Sequence, residues 1–242
     1  MFWGELTRAQ LGDLLPEALV IVPTGATEQH GPHLPTCTDA ELVTTVVRSA
    51  VAAQGYSRSV IVTPTVAIGS SDHHFPFGGT LSVSPETLIA VLLDIARSVS
   101  ICGGKRLVFV NGHGGNHGPC STAAAAASNR YDLAVAYTDY WSLVSTSDGD
   151  GLSSIVPGHA GEFETSLMMA VHPELVGARE PRHLPPTPIG NVKAFTVHSS
   201  AMWAGIDGHT DSAVGASAEK GVAWLDEIVK SLRSQLEDLA RR

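Results

Sequence analysis

Two apolar runs constrain the fold more than anything else in this chain: ALVIVP at 18–23 and RLVFVNG at 106–112. Neither alternates apolar with polar residues, so neither suits a sheet with one face in water. Short runs of this kind read as strands covered on both faces, the arrangement of a parallel α/β sheet. Strands are also expected at 59–69 (SVIVTPTVAIG) and 132–140 (DLAVAYTDY). Helical patterns separate them, at 7–15, near 39–53, from Ser84 to the glycines at 103 and 104, over the alanines of 121–128, from about 162, and at 216–242. Ser84 followed by Pro85 is a helix start, with a serine cap and a proline in the first helical position. A turn is expected at Gly55, a Gly/Ser/Asp loop near 145–158, and loop with one edge strand over 177–200. The alternation predicts a three-layer α/β/α sandwich with a mainly parallel central sheet, built as a single domain over 1–242.

Bulk properties exclude several classes of function. The net charge is −9 with histidine neutral, and Lys and Arg nowhere cluster. A nucleic-acid footprint is therefore not expected, nor is a basic helix lying on a membrane surface. The apolar runs fall short of the roughly 18–20 residues needed to span a bilayer. Cys37, Cys102 and Cys120 make no disulfide framework in 242 residues, and the N-terminus carries an early acid rather than a secretory pattern. A cytoplasmic protein in a reducing compartment is expected.

Three distant stretches hold metal-ligand residue types beside glycine: GATEQHGPHLPTCTDAE at 25–41, NGHGGNHG at 111–118 and GHAGEFETS at 158–166. The first two sit just past the end of an apolar strand, the edge at which open α/β sheets bind ligands. In an extended segment Glu28 and His30 share a face, since side chains i and i+2 point the same way. Such a pair can hold one ion or two adjacent ones. Asp39 reads either as a further ligand or as a helix cap. His113, set among glycines that let a ligand approach closely, reads as a ligand, whereas His117 reads as a cap on the following helix. Glu164 is assigned to the metal, Glu162 to stabilising a helix N-terminus, and His159 suits a proton shuttle. A fourth stretch, SSDHHFPFGGTLSVS at 70–84, reads equally as a pocket wall or a surface turn. His74, Gly114 and Gly115 are the candidate pocket residues. Phe75, Phe77, Trp141 and Trp203 read as core.

Other schemes are poorly represented. No GxSxG elbow, P-loop, GxGxxG or HExxH occurs. Cys37 near His30 lacks an orienting partner for a thiol nucleophile. Imidazole and carboxylate ligands without thiolates suit zinc first, with manganese or iron(II) as alternatives.

Taken together, PTGATEQHGPHLPTCTD, SSDHHFPFGGTLSVS, NGHGGN, HAGEFETS and the late GASAEKG resemble the creatininase (creatinine amidohydrolase) family, in the same order along most of the chain. The resemblance implies an α/β/α fold, two divalent ions per subunit, hydrolysis of a C–N amide bond and a homo-oligomer, often a hexamer. It implies Glu28 and His113 on one ion, His30 on the other, Asp39 bridging, and His159 as the acid/base histidine, with Glu164 the matching acid five residues on. Creatinine-hydrolysing members carry an aromatic residue and a glutamate where this chain has Gly114 and Gly115. The lost glutamate would be a ligand of the second ion, to be replaced by Glu164 or water. Substrates implied by the NGHGGN branch are a formamide or a peptide-like amide. Creatinine itself and a non-catalytic binding or assembly subunit on the same scaffold are the alternatives.

Overall fold

The β1 strand (Leu19–Thr24) is fully buried because it has a neighbour on each side and a helical layer over each face. Its side chains divide by the two-residue period of a strand. Leu19 and Ile21 enter one apolar cluster, and Val20 and Val22 enter the other. The computed structural model describes residues 1–52, 56, 58–144, 156–178 and 208–241, and the backbone of 191–192 and 195–196. Among the described residues four strands form the main sheet in the order β2-β1-β3-β4, with β2 at Val60–Val62, β3 at Arg106–Asn111 and β4 at Ala134–Asp139. All pairings are parallel, β1 meeting β3 from Leu19↔Arg106 to Thr24↔Asn111.

One face is covered by α2 (Thr38–Ala52), α5 (Glu162–Val171) and α6 (Ala218–Arg241), which contribute Leu42, Val46, Phe163, Leu167, Trp224 and Ile228 to a shared core. The opposite face is covered by α3 (Pro85–Ile101) and α4 (His117–Tyr131), through Leu88, Leu92, Ala96, Cys120, Ala123 and Ala127. The short α1 (Arg8–Leu14) begins with a capping box between Thr7 and Gln10. Three layers result, as the alternating pattern implies. Among the described residues no helix is long and apolar enough to cross a membrane.

Several boundaries differ from expectation. The strand read over 59–69 stops at Val62, although Thr63 N–H still donates to the Ile21 carbonyl of β1. The chain rejoins β1 only at Val66, whose N–H donates to the Pro23 carbonyl. The helix over the alanines starts earlier, at His117. The strands β5 (Asn191–Val192) and β6 (Phe195–Thr196) pair antiparallel with each other rather than edging the main sheet. Trp203, Gly55, residues 145–155 and most of 179–207 lie outside the described residues.

Candidate metal centre

The carboxyl ends of β1 and β3 lie side by side, so the loops leaving them open into one space. Gly112 N–H donates to the Thr24 carbonyl at 2.8 Å, locking the two exits together. The start of α2 presses against them: a Cβ on Gly25 would lie 2.6 Å from the Ala40 backbone. Only glycine allows that approach, and it brings Asp39, in the first turn of α2, over the strand ends. Asn116 fastens the loop at 70 to the same floor, accepting from Ser70 N–H and donating to the Gly25 carbonyl, both at 2.9 Å. The third motif arrives ahead of α5, where Ala160 N–H donates to Glu164 Oε2 at 2.6 Å.

Glu28, His30, Asp39, His113, His159 and Glu164 converge there, none more than 5% exposed. Glu28 Oε2 lies 3.3 Å from His113 Nε2, and its Oε1 lies 3.2 Å from His74 Nε2 and 3.4 Å from His159 Nδ1. Asp39 stands between two imidazoles, with Oδ1 3.1 Å from His30 Nε2 and Oδ2 3.0 Å from His113 Nδ1. Glu164 Oε2 is 3.7 Å from His30 Nε2. His30 Nδ1 lies 3.1 Å from the Glu28 backbone carbonyl, an acceptor only, so Nδ1 carries a hydrogen and Nε2 is the nitrogen turned to the acids.

Electrostatics follow from this crowding. Burial would lower the His30 pKa, but Asp39 and Glu164 outweigh it and raise it to about 10. His113 is raised well above its ordinary value, Glu28 and Asp39 overcoming burial. Glu28 is held well below the usual carboxylate range despite burial, because His113, His74 and His159 face it. Glu164 is pushed up to about 8, mainly by burial and then by Asp39, against the pull of His30. Burial and the neighbouring His30 hold His159 well below its usual value, so its imidazole is neutral at pH 7. A position that attracts a proton as strongly as His30 Nε2 also attracts a metal cation.

The donor set fits divalent ions. Both Glu28 oxygens and Asp39 Oδ2 are buried without an aligned hydrogen-bond donor, an arrangement that is costly unless a cation answers it. Ligands about 2.1 Å from one ion sit about 3.0–3.4 Å from one another, the range of most separations above. Among the described residues, four sets of three can each bring their ligand atoms within 4.8 Å of one another: Glu28 with His73 and His113, Glu28 with His74 and His159, Glu28 with His30 and Asp39, and His30 with His159 and Glu164.

The remaining candidates separate clearly. His74 is buried within the cluster rather than lining a wall, and its Nδ1 lies 2.8 Å from Gln29 Nε2. Gly114 faces open space, whereas a Cβ on Gly115 would lie 2.2 Å from the Ser70 carbonyl and 2.6 Å from His113 Nε2. His117 is on the surface and pairs with Asp139 at 2.6 Å. Glu162, at the start of α5, pairs with Lys220 instead of joining the cluster. The Cys37 thiol is pushed up by burial and by Glu41, the wrong direction for a nucleophile. Phe75 is exposed at the turn, not core. Reading the sequence missed Gln29, whose side-chain nitrogen also lies 2.9 Å from His159 Nε2, and His73 of the turn Asp72–Phe77. Adjacent histidines were visible there, but no periodicity says which of the two turns inward.

Comparison with known proteins adds to this geometry. The creatininase family profile, described as creatinine amidohydrolase, matches residues 4–236. A mycofactocin precursor peptide peptidase of Mycobacterium ulcerans is 38% identical over 72% of this chain and 65% of its own length, so the match spans just under two thirds of that relative. A creatinine amidohydrolase of Pseudomonas putida is 30% identical over 98% of this chain and 96% of its own length. A solved structure described as creatininase Mn superposes with a TM-score of 0.83 at 28% identity, covering 98% of this chain and 97% of that one. Profile, full-length relative and superposed fold agree, and the chain belongs to the creatininase family.

Proposed function

We propose that this chain is a divalent-metal-dependent amidohydrolase that cleaves the C–N bond of a peptide-like amide. The observation that carries the reading is the set of three buried carboxylates, Glu28, Asp39 and Glu164, set among imidazoles, with both Glu28 oxygens and Asp39 Oδ2 orphaned. Glu28, His113 and Asp39 would hold one ion; His30, Asp39 and Glu164 would hold the other. When bound, such ions supply Lewis acidity that polarises a carbonyl and lowers the pKa of water to about 7. Zinc, manganese or iron(II) fits these donors, and the whole assembly of a symmetric homo-oligomer would be seen by sedimentation as a species heavier than one chain.

The remaining work falls to the chain. His159 is neutral, and its Nδ1 faces the cluster 3.4 Å from Glu28 Oε1. It is placed to accept a proton from the attacking water and return it to the leaving nitrogen. The Gln29 backbone carbonyl steadies that ring, accepting the Nε2 hydrogen at 2.9 Å in both the neutral and the protonated imidazole and leaving Nδ1 to take the proton. The Gln29 side chain packs beside the same nitrogen. Burial of the whole cluster keeps its field strong by excluding bulk water.

A peptide-like substrate is favoured over creatinine because Gly114 leaves space open beside His113, with nothing within 4 Å of where a Cβ would stand. The mycofactocin peptidase, similar at 38%, acts on a precursor peptide by its description. The test is a panel of creatinine, cyclic amides, formamides and short peptides assayed with zinc, manganese and iron(II). Turnover of peptides that requires added metal supports the reading. Turnover of creatinine alone would replace the substrate class, and no metal-dependent turnover at all would favour a binding subunit.

A further inference from the structure

Two adjacent ions are told apart by the ligands they do not share, and the four candidate triads overlap heavily. Three of them use Glu28, and the fourth is His30, His159 and Glu164. Among the described residues, one pair of triads has no residue in common: Glu28, His73 and His113 on one side, and His30, His159 and Glu164 on the other. Asp39 spans that pair, with Oδ1 on His30 and Oδ2 on His113. Either of the other Glu28 triads would leave the second position competing for His159 or His30.

The space around His113 supports the same partition. Three oxygens surround its Nε2 at similar distances: Ser70 carbonyl at 3.1 Å, Ser71 Oγ at 3.2 Å and Glu28 Oε2 at 3.3 Å. A single N–H can serve one of them well. A cation beside that nitrogen could face all three. The His73 ring runs nearly parallel to that of His113, 7° apart with centroids 5.7 Å apart. Both rings close over Gly115, where a Cβ would lie 2.6 Å from His113 Nε2 and 3.0 Å from His73 Cε1. No side chain can enter from position 115 without displacing them, so on this side the approach belongs to His73.

We propose that His73 supplies a nitrogen to the cation held by Glu28 and His113. Each ion then has its own side chains, Asp39 lies against the far ring nitrogen of His113, Nδ1, and His159 adjoins the second ion while remaining available for proton transfer. The inference rests on the two-cation reading above, and the experiment separates the two.

Wild type, His73→Ala and His73→Glu are loaded with zinc, dialysed and analysed for metal content. The same three are titrated with cobalt(II) while ligand-field absorption is followed. The expected result is two ions in the wild type, one position weakened at least 10-fold in His73→Ala with altered cobalt bands, and recovery of the second ion in His73→Glu. Two ions bound with wild-type affinity in His73→Ala overturns the role of His73 and leaves the two-cation reading standing. A wild type that binds none overturns both. Should His73→Ala not fold, cadmium-113 resonance of ¹⁵N-histidine-labelled wild type decides the matter. A cadmium coupled to the assigned ring nitrogens of both His73 and His113 is expected, and a His73 ring coupled to no cadmium refutes the inference.

Discussion

Replacing Asp39 with Asn separates ligation from packing. The residue is 2% exposed, and its oxygens lie 3.1 Å from His30 Nε2 and 3.0 Å from His113 Nδ1. Asn keeps the shape but cannot offer an anionic oxygen to each of two ions. With free metal at about 100 times Kd, binding to the folded state adds about 2.7 kcal/mol per site, or about 5 kcal/mol for two. In a chain of this size each kcal/mol moves Tm by about 2–4 °C, so loading should raise the wild-type Tm by roughly 10–20 °C. A hundredfold loss of affinity at both sites leaves about 0.4 kcal/mol each at the same metal concentration. The shift then shrinks to about 2–3 °C. The assay is thermal unfolding of each protein with metal and with EDTA. Only the difference within each variant is read, which cancels any change in the metal-free baseline. An Asp39→Asn protein with the wild-type shift would refute the reasoning.

Metal-free protein should lose stability as pH rises from 7 to 10. The folded pKa of His30 is raised to about 10, that of Glu164 to about 8, and that of His113 well upward. A raised folded pKa gives stability that is present at low pH and lost as pH climbs through the folded value. Urea midpoints that stay level or increase over that range would contradict these assignments. Gln29→Leu should lower kcat by about 10- to 100-fold, the scale of lost outer-shell support, with KM and metal content little changed; an equal fall in metal content would make Gln29 a support of the ion site instead. Phe109→Ala, in the buried centre of β3, should cost about 3–5 kcal/mol in denaturant unfolding. A loss below about 1 kcal/mol would mean that this layer repacks without a cavity.

The layers of the fold were legible because β1 and β3 are apolar on both faces, which leaves few alternatives to a covered parallel sheet. Boundaries were less so. The β2 strand stops at Val62 although the pattern runs on to 69, and β4, an edge strand, is partly exposed. The acidic and imidazole residues were named from their glycine-rich settings, and the structure gathers them at one edge of the sheet. What stayed hidden were contacts across the chain, such as Gln29 to His74 and His159, since spacing along a sequence carries no information about loops that meet only after folding. His73 was hidden for a local reason: a 3-10 turn, not a regular helix or strand, sets which histidine faces inward.

The most direct measurement is the metal content of wild-type protein purified without chelator, taken beside its amide-hydrolysing activity before and after metal removal. Two divalent ions per chain, with activity that vanishes on their removal and returns on their replacement, is the predicted result. Full activity in protein stripped of metal would contradict the account at its root.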